Sequence, residues 1–120
     1  MEQFVLMIYQ GTTPLPGTPE WDALPQEEQT AIYADYAAIN QTPGVAPGPP
    51  LGLPADVRTV VVKDGAVDVR EGAYLGTDGA VGGFAVFEAD DLEAAVALAS
   101  RIPAARLGGA IEVRPVAKYW

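Results

Sequence analysis

The chain has 120 residues, enough for one domain with a buried core, and 49% of them are hydrophobic, which excludes a disordered chain. Its net charge is −9, and residues 1–55 hold six acids and no Lys or Arg, so the basic surface that a nucleic-acid partner requires is missing. Cysteine and histidine are both absent. That excludes disulfides, thiolate nucleophiles and zinc–cysteine sites, and removes the most frequent general base and metal ligand.

No apolar run has the length of a membrane span, and the apolar opening segment is too short for a signal peptide. The expected location is the cytoplasm. The acidic first half reads as a solvated surface or as a docking face for a basic partner. Residues 1–120 are expected to form a single domain.

Residues 4–9 (FVLMIY) are apolar or aromatic at every position, which predicts a strand that wants cover on both faces. A turn-rich loop follows over residues 11–19. Pro25 suits the first helical position, with Glu27 and Glu28 in the first turn, where acids favour the helix dipole. Ile32, Tyr36 and Ile39 then recur at i, i+4 and i+7 and define one buried helical face. Asn40 through Pro43-Gly44 ends this helix.

Residues 45–54 (VAPGPPLGLP) are too rich in proline for an interior strand and predict an irregular edge or crossover. Residues 56–62 and 66–70 flank Asp64-Gly65, a strong two-residue hairpin signal. Glycines 72, 76, 79, 82 and 83 then crowd one loop, as sharp turns or close backbone contacts require. Residues 84–88 predict a strand with Phe84 and Val86 on one face and Phe87 on the other. Asp90 is placed as N-cap of a second helix, with Glu93 completing a capping box. Leu92, Val96 and Ala99 form its stripe, widened by Leu98 and Ile102, and Pro103 stops it. Residues 110–116 alternate Ile111 and Val113 inward with Glu112 and Arg114 outward.

The order is strand, helix, hairpin, strand, helix, strand. This α+β pattern is close to a ferredoxin-like β-α-β-β-α-β unit. Two helices cover only one face of such a sheet. Strands apolar on both faces therefore predict a homodimer in which a second copy covers the other face.

In their joint order and spacing the motifs resemble the YCII-related family, in its DGPF-containing branch. The resemblance rests on the opening strand, Leu24-Pro25-Gln26-Glu27-Glu28, Asp64-Gly65, Gly82-Gly83-Phe84, Asp90-Asp91-Leu92-Glu93, Pro103-Ala104-Ala105 and Glu112-Val113-Arg114-Pro115-Val116. It implies a dimeric α+β barrel that binds a small molecule, with weak or lost enzyme activity. It also leaves a second class open, a non-enzymatic regulatory module linked to alternative sigma factors. Glu71-Gly72-Ala73-Tyr74 stands where the branch has Asp-Gly-Pro-Phe, and Gly76, Asp78 and Gly79 stand where charged residues are usual. The His–Asp pair ascribed to some relatives has no counterpart here.

Glu71 matches the acid of that motif and lies where the hairpin enters the glycine loop. A carboxylate there can act as a base or bind a polar ligand group if burial raises its pKa; otherwise it caps loop N–H groups or faces solvent. Tyr74 offers a hydroxyl to a ligand or packs in the core, and Asp78 reads as a turn residue. Arg114 either pairs with Glu112 on its own strand or lines a cleft and holds an anion, with Arg58 and Arg70 as alternatives. The glycines match no phosphate loop or dinucleotide fingerprint, and no carboxylate spacing suggests a metal site. Neither a cofactor nor a metal is expected.

Overall fold

The structure, a computed structural model, describes residues 1–119. Its body is a four-stranded antiparallel sheet with the order β2-β5-β1-β6. The strands are β1 (Glu2–Tyr9), β2 (Val45–Pro47), β5 (Val81–Ala89) and β6 (Ala110–Pro115). A short helix α1 (Pro19–Asp22) and the long α2 (Gln26–Asn40) connect β1 to β2, and α3 (Leu92–Ala99) connects β5 to β6. This connectivity and strand order are compatible with a ferredoxin-like unit.

The remaining two strands, β3 (Arg58–Lys63) and β4 (Ala66–Glu71), pair only with each other. The hairpin itself is where the sequence places it. Asp64 (φ 53°) and Gly65 (φ 79°) both adopt the left-handed conformation that a two-residue type I′ turn demands. Its place in the fold differs from the expected pattern, since the hairpin does not supply a strand of the main sheet. That strand is β2, drawn from the proline-rich stretch, and it lies at the sheet edge, where proline is tolerated. Beyond Pro47 the chain still follows β5: the Gly48 N–H donates to the Phe84 carbonyl at 2.9 Å and the Leu51 N–H to that of Gly82 at 3.2 Å. Gly48 permits this approach, since a Cβ there would lie 2.8 Å from the Phe84 ring.

Alternation along the strands sorts the side chains into two faces. Phe4, Leu6, Ala85, Phe87 and Ala89 turn toward the helices and are buried. They meet Ile39 of α2 and Ala95, Leu98, Ala99 and Ile102 from α3 and its exit, with Ile111 and Val113 of β6 at the margin. Val5, Met7, Tyr9, Phe84 and Val86 point to the opposite face, away from α2 and α3, and no helix among the described residues covers it. The molecule is accordingly thin, 19 Å along its shortest axis, as two layers require. Its radius of gyration is 16.0 Å, against about 13.6 Å for a compact chain of this length.

Several local expectations are corrected. Residues 18–22 hold a helical turn that the loop reading missed: Thr18 caps it by accepting from the Trp21 N–H at 3.3 Å. Gln29 pins that turn to α2, donating to the carbonyls of Trp21 at 2.9 Å and Leu24 at 3.2 Å. Pro25 is the N-cap of α2 rather than its first residue. The cap of α3 is Asp91, not Asp90, and its carboxylate accepts from the Ala94 N–H at 2.9 Å. The buried stripe of α3 runs through Ala95, Leu98 and Ala99, while Leu92 and Val96 are about half exposed. Its sequence LEAAVALA is apolar nearly all round, so periodicity alone cannot choose the face. Two alanines let the helix approach the sheet closely.

Candidate ligand-binding site

The segment that leaves β4 is held at its base. The Gly72 N–H donates to the Val57 carbonyl at 2.8 Å, and the Thr59 hydroxyl donates to the Gly72 carbonyl at 2.8 Å. Gly72 and Gly76, both at positive φ, turn the chain back toward the start of β5. Residues 77–79 add a 3₁₀ turn, the turn role expected around Asp78. The backbone then closes onto the end of β1 through the Gln10 N–H, which donates to the Ala80 carbonyl at 2.9 Å.

This path encloses a hollow of about 530 Å³ between the hairpin base and the uncovered sheet face. Tyr9, Leu51, Val57, Thr59, Tyr74, Leu75 and Val81 line it. Tyr74 is among the lining residues while remaining 73% exposed. Volume and lining are those of a small-molecule site, with apolar walls and few polar groups.

The three residues singled out from sequence are not gathered there. Glu71 is the last residue of β4, opposite Arg58, with a long 4.0 Å ion pair between them and a carboxylate 88% exposed. Arg114 lies on β6 and pairs with Glu112 on the same strand face at 3.4 Å. Of the other cations, Arg70 pairs with Asp68 at 2.7 Å on the hairpin. Only Tyr74 lines the hollow. Among the described residues no three acidic side chains assemble as metal ligands would.

A second cavity, about 330 Å³, opens on the helix side of the sheet, where α2 stands away from the start of β5. Sequence reasoning passed over two of its polar lining residues, Gln10 and Thr13, because polar residues after a strand read as ordinary loop. Gln10 is only 4% exposed, yet neither its Oε1 nor the Thr13 Oγ1 has a hydrogen-bond partner among the described residues. Tyr36 lines the same cavity; burial pushes its phenol above the ordinary value, opposed by a hydrogen bond with the Ala104 backbone and by the Arg106 charge. Arg106 in turn pairs with Asp35 at 2.8 Å.

A two-layer α+β domain with one bare sheet face and a hollow at its rim is thus what the geometry defines. The family model of the YCII-related domain matches residues 4–119, so the chain belongs to that family. No curated protein was found to match it. No helix among the described residues is long and apolar enough to cross a membrane.

Proposed function

We propose that this YCII-related protein acts as a homodimer that binds a small molecule beside Tyr74. The observation that carries the reading is the hollow at the rim of the uncovered sheet face. A contiguous apolar face of this kind on a soluble chain marks an interaction site. A second copy laid on Val5, Met7, Phe84 and Val86 closes a barrel and roofs the hollow. Tyr74 then supplies a hydroxyl to the ligand, while Glu71 and Arg114 enter the site only through rearrangement of the hairpin or from the partner copy. The segment Glu71-Gly72-Ala73-Tyr74 favours the DGPF branch of the family, with a cytoplasmic protein of uncommitted catalytic activity as the working description.

Sedimentation at micromolar concentration should give a dimer; a stable monomer there overturns the assembly. A fragment screen followed by amide shifts should place hits at Tyr74, Leu75 and Gly79. Tyr74→Phe should then weaken those hits by roughly 1–3 kcal/mol where the hydroxyl is buried against the ligand. Hits that bind the variant and the parent alike would remove Tyr74 from the site.

A second reading, an interaction module without chemistry of its own, draws on the hairpin. Val60, Val62, Val67 and Val69 share one face of β3–β4 and are between 59% and 66% exposed. The same dimer assigns this face to the second copy. A dimer whose hairpin valines stay accessible to solvent would favour the module instead.

A further inference from the structure

The cavity on the helix side is separate from the Tyr74 hollow and has a different character. Its walls come from five places: the end of β1 and the residues after it, the face of α2, the proline strap at 47–50, the start of β5 and the segment that follows α3. No Asp, Glu, Lys or Arg lines it. Ile8, Leu15, Ile39 and Ile102 give apolar surface, and the rings of Tyr33 and Tyr36 give flat walls. Trp21 fixes the Tyr33 ring by an edge contact, centroids 5.3 Å apart.

Gln10, Thr13 and Asn40 bring polar side chains to the lining. A tight turn joins residues 10 and 13, with the Thr13 N–H donating to the Gln10 carbonyl at 2.9 Å. The two side chains therefore leave one turn, both residues line the cavity, and each carries an oxygen atom with no partner among the described residues. The pairing of β1 with β5 skips one residue here, Ile8 opposite Gly83 but Tyr9 opposite Val81. Gly82 is the extra residue of this bulge. A Cβ on it would come within 2.7 Å of the Gln10 side chain, so glycine makes the room that the buried amide occupies.

A buried carbonyl oxygen without a donor costs stability, about 1–3 kcal/mol in typical cases. Such an atom on a residue lining a mostly apolar cavity is explained if a bound molecule supplies the donor. We propose that this cavity is a binding site for an uncharged, flat molecule of one or two rings carrying a hydrogen-bond donor that Gln10 and Thr13 receive. Charge is excluded because nothing in the lining would compensate a desolvated ion. The size follows from volume: a cavity of roughly 150 Å³ takes benzene, and this one is about 330 Å³. Tyr36 stays protonated at neutral pH and keeps its phenol neutral beside the ligand.

The test uses three probes on the full chain: indole, benzofuran and indole-3-carboxylate. Indole presents one N–H donor; benzofuran has nearly the same shape and none; the carboxylate adds a charge. Amide and side-chain shifts of Ile39, Asn40, Ala85 and Ile102 report this cavity, and those of Tyr74, Leu75 and Gly79 report the other hollow. Indole should shift the first set and bind about tenfold more tightly than benzofuran, the scale of one hydrogen bond. Indole-3-carboxylate should leave that set unmoved. Gln10→Leu should erase the preference for indole while benzofuran still binds, and the parent comparison stands even if that variant fails to fold. Equal binding of indole and benzofuran, shifts confined to the Tyr74 set, or no binding at all would overturn the proposal.

Discussion

The sheet body and the β3–β4 hairpin are built from the same kind of sequence and reach opposite ends. Residues of β1 alternate between two apolar faces, while the hairpin has one such face, formed by Val60, Val62, Val67 and Val69. In the body, α2 and α3 lie over one face; Phe4 and Leu6 become fully buried and Phe87 buried. The hairpin has no helix of its own, and four of its five valines, Val60, Val62, Val67 and Val69, face solvent. Strand-forming sequence thus sets local conformation in both regions, while the elements that fold over a strand decide whether it becomes core. The stretched radius of gyration, 16.0 Å, is the physical trace of the difference.

The contrast is sharpest in stability. Leu6 is fully buried, and Leu6→Ala should cost about 2–5 kcal/mol, since it leaves a cavity in a packed core. Chemical denaturation would read this as a lower midpoint at unchanged slope. A cost under about 1 kcal/mol would mean that the body is less tightly packed than its burial indicates.

The paired hairpin change Val60→Thr with Val69→Thr keeps shape and strand propensity but adds hydroxyls to the apolar face. It should weaken self-association, by roughly 1–3 kcal/mol for burial of that area. Sedimentation across a concentration series would follow the shift toward monomer. The unfolding free energy of the monomer should change by only about 0.5 kcal/mol, as for an exposed site. An unchanged dimer would release the hairpin from the interface.

Tyr36 gives the body a pH dependence of its own. Its folded pKa is raised above the ordinary 10.0, chiefly by burial. The folded state therefore holds its proton longer than the unfolded chain. The stabilisation is fully present below the unfolded value and is lost as pH rises from there through the folded value. Urea midpoints at pH 8 and above pH 10 should fall more in the parent than in Tyr36→Phe. Equal falls would show that Tyr36 does not titrate differently on folding.

The smallest effect is expected at Glu71→Gln. Its carboxylate is exposed, and the ion pair with Arg58 spans 4.0 Å, so thermal stability should stay within experimental error. A large loss would mean that the hairpin end is structural in a way its exposure does not reveal.

The hairpin turn was legible from Asp64-Gly65 because that pair satisfies a local backbone demand. The inward set of β6 was legible too, since Ile111 and Val113 alternate with charged residues. The face of α2 could be read from Ile32, Tyr36 and Ile39 amid polar neighbours. The cap of α3 was misplaced by one residue because Asp90 and Asp91 are chemically equal candidates. Arg114 and Glu112 were correctly put on one strand face, but nothing local says whether a cleft lies beside them.

Sequence by itself determined the local conformations: the apolar strands, a tight hairpin, two helices and an edge rich in proline. These rest on backbone sterics and short-range periodicity, which neighbouring residues carry. Tertiary structure alone decided that the three-residue β2 joins the main sheet and that the hairpin stays outside it. It also decided which side of an all-apolar α3 is buried, and it closed Gln10 and Thr13 into a cavity with Tyr36 of α2. Those outcomes depend on which surfaces, distant along the chain, exclude water from one another, and pattern within a segment does not encode that.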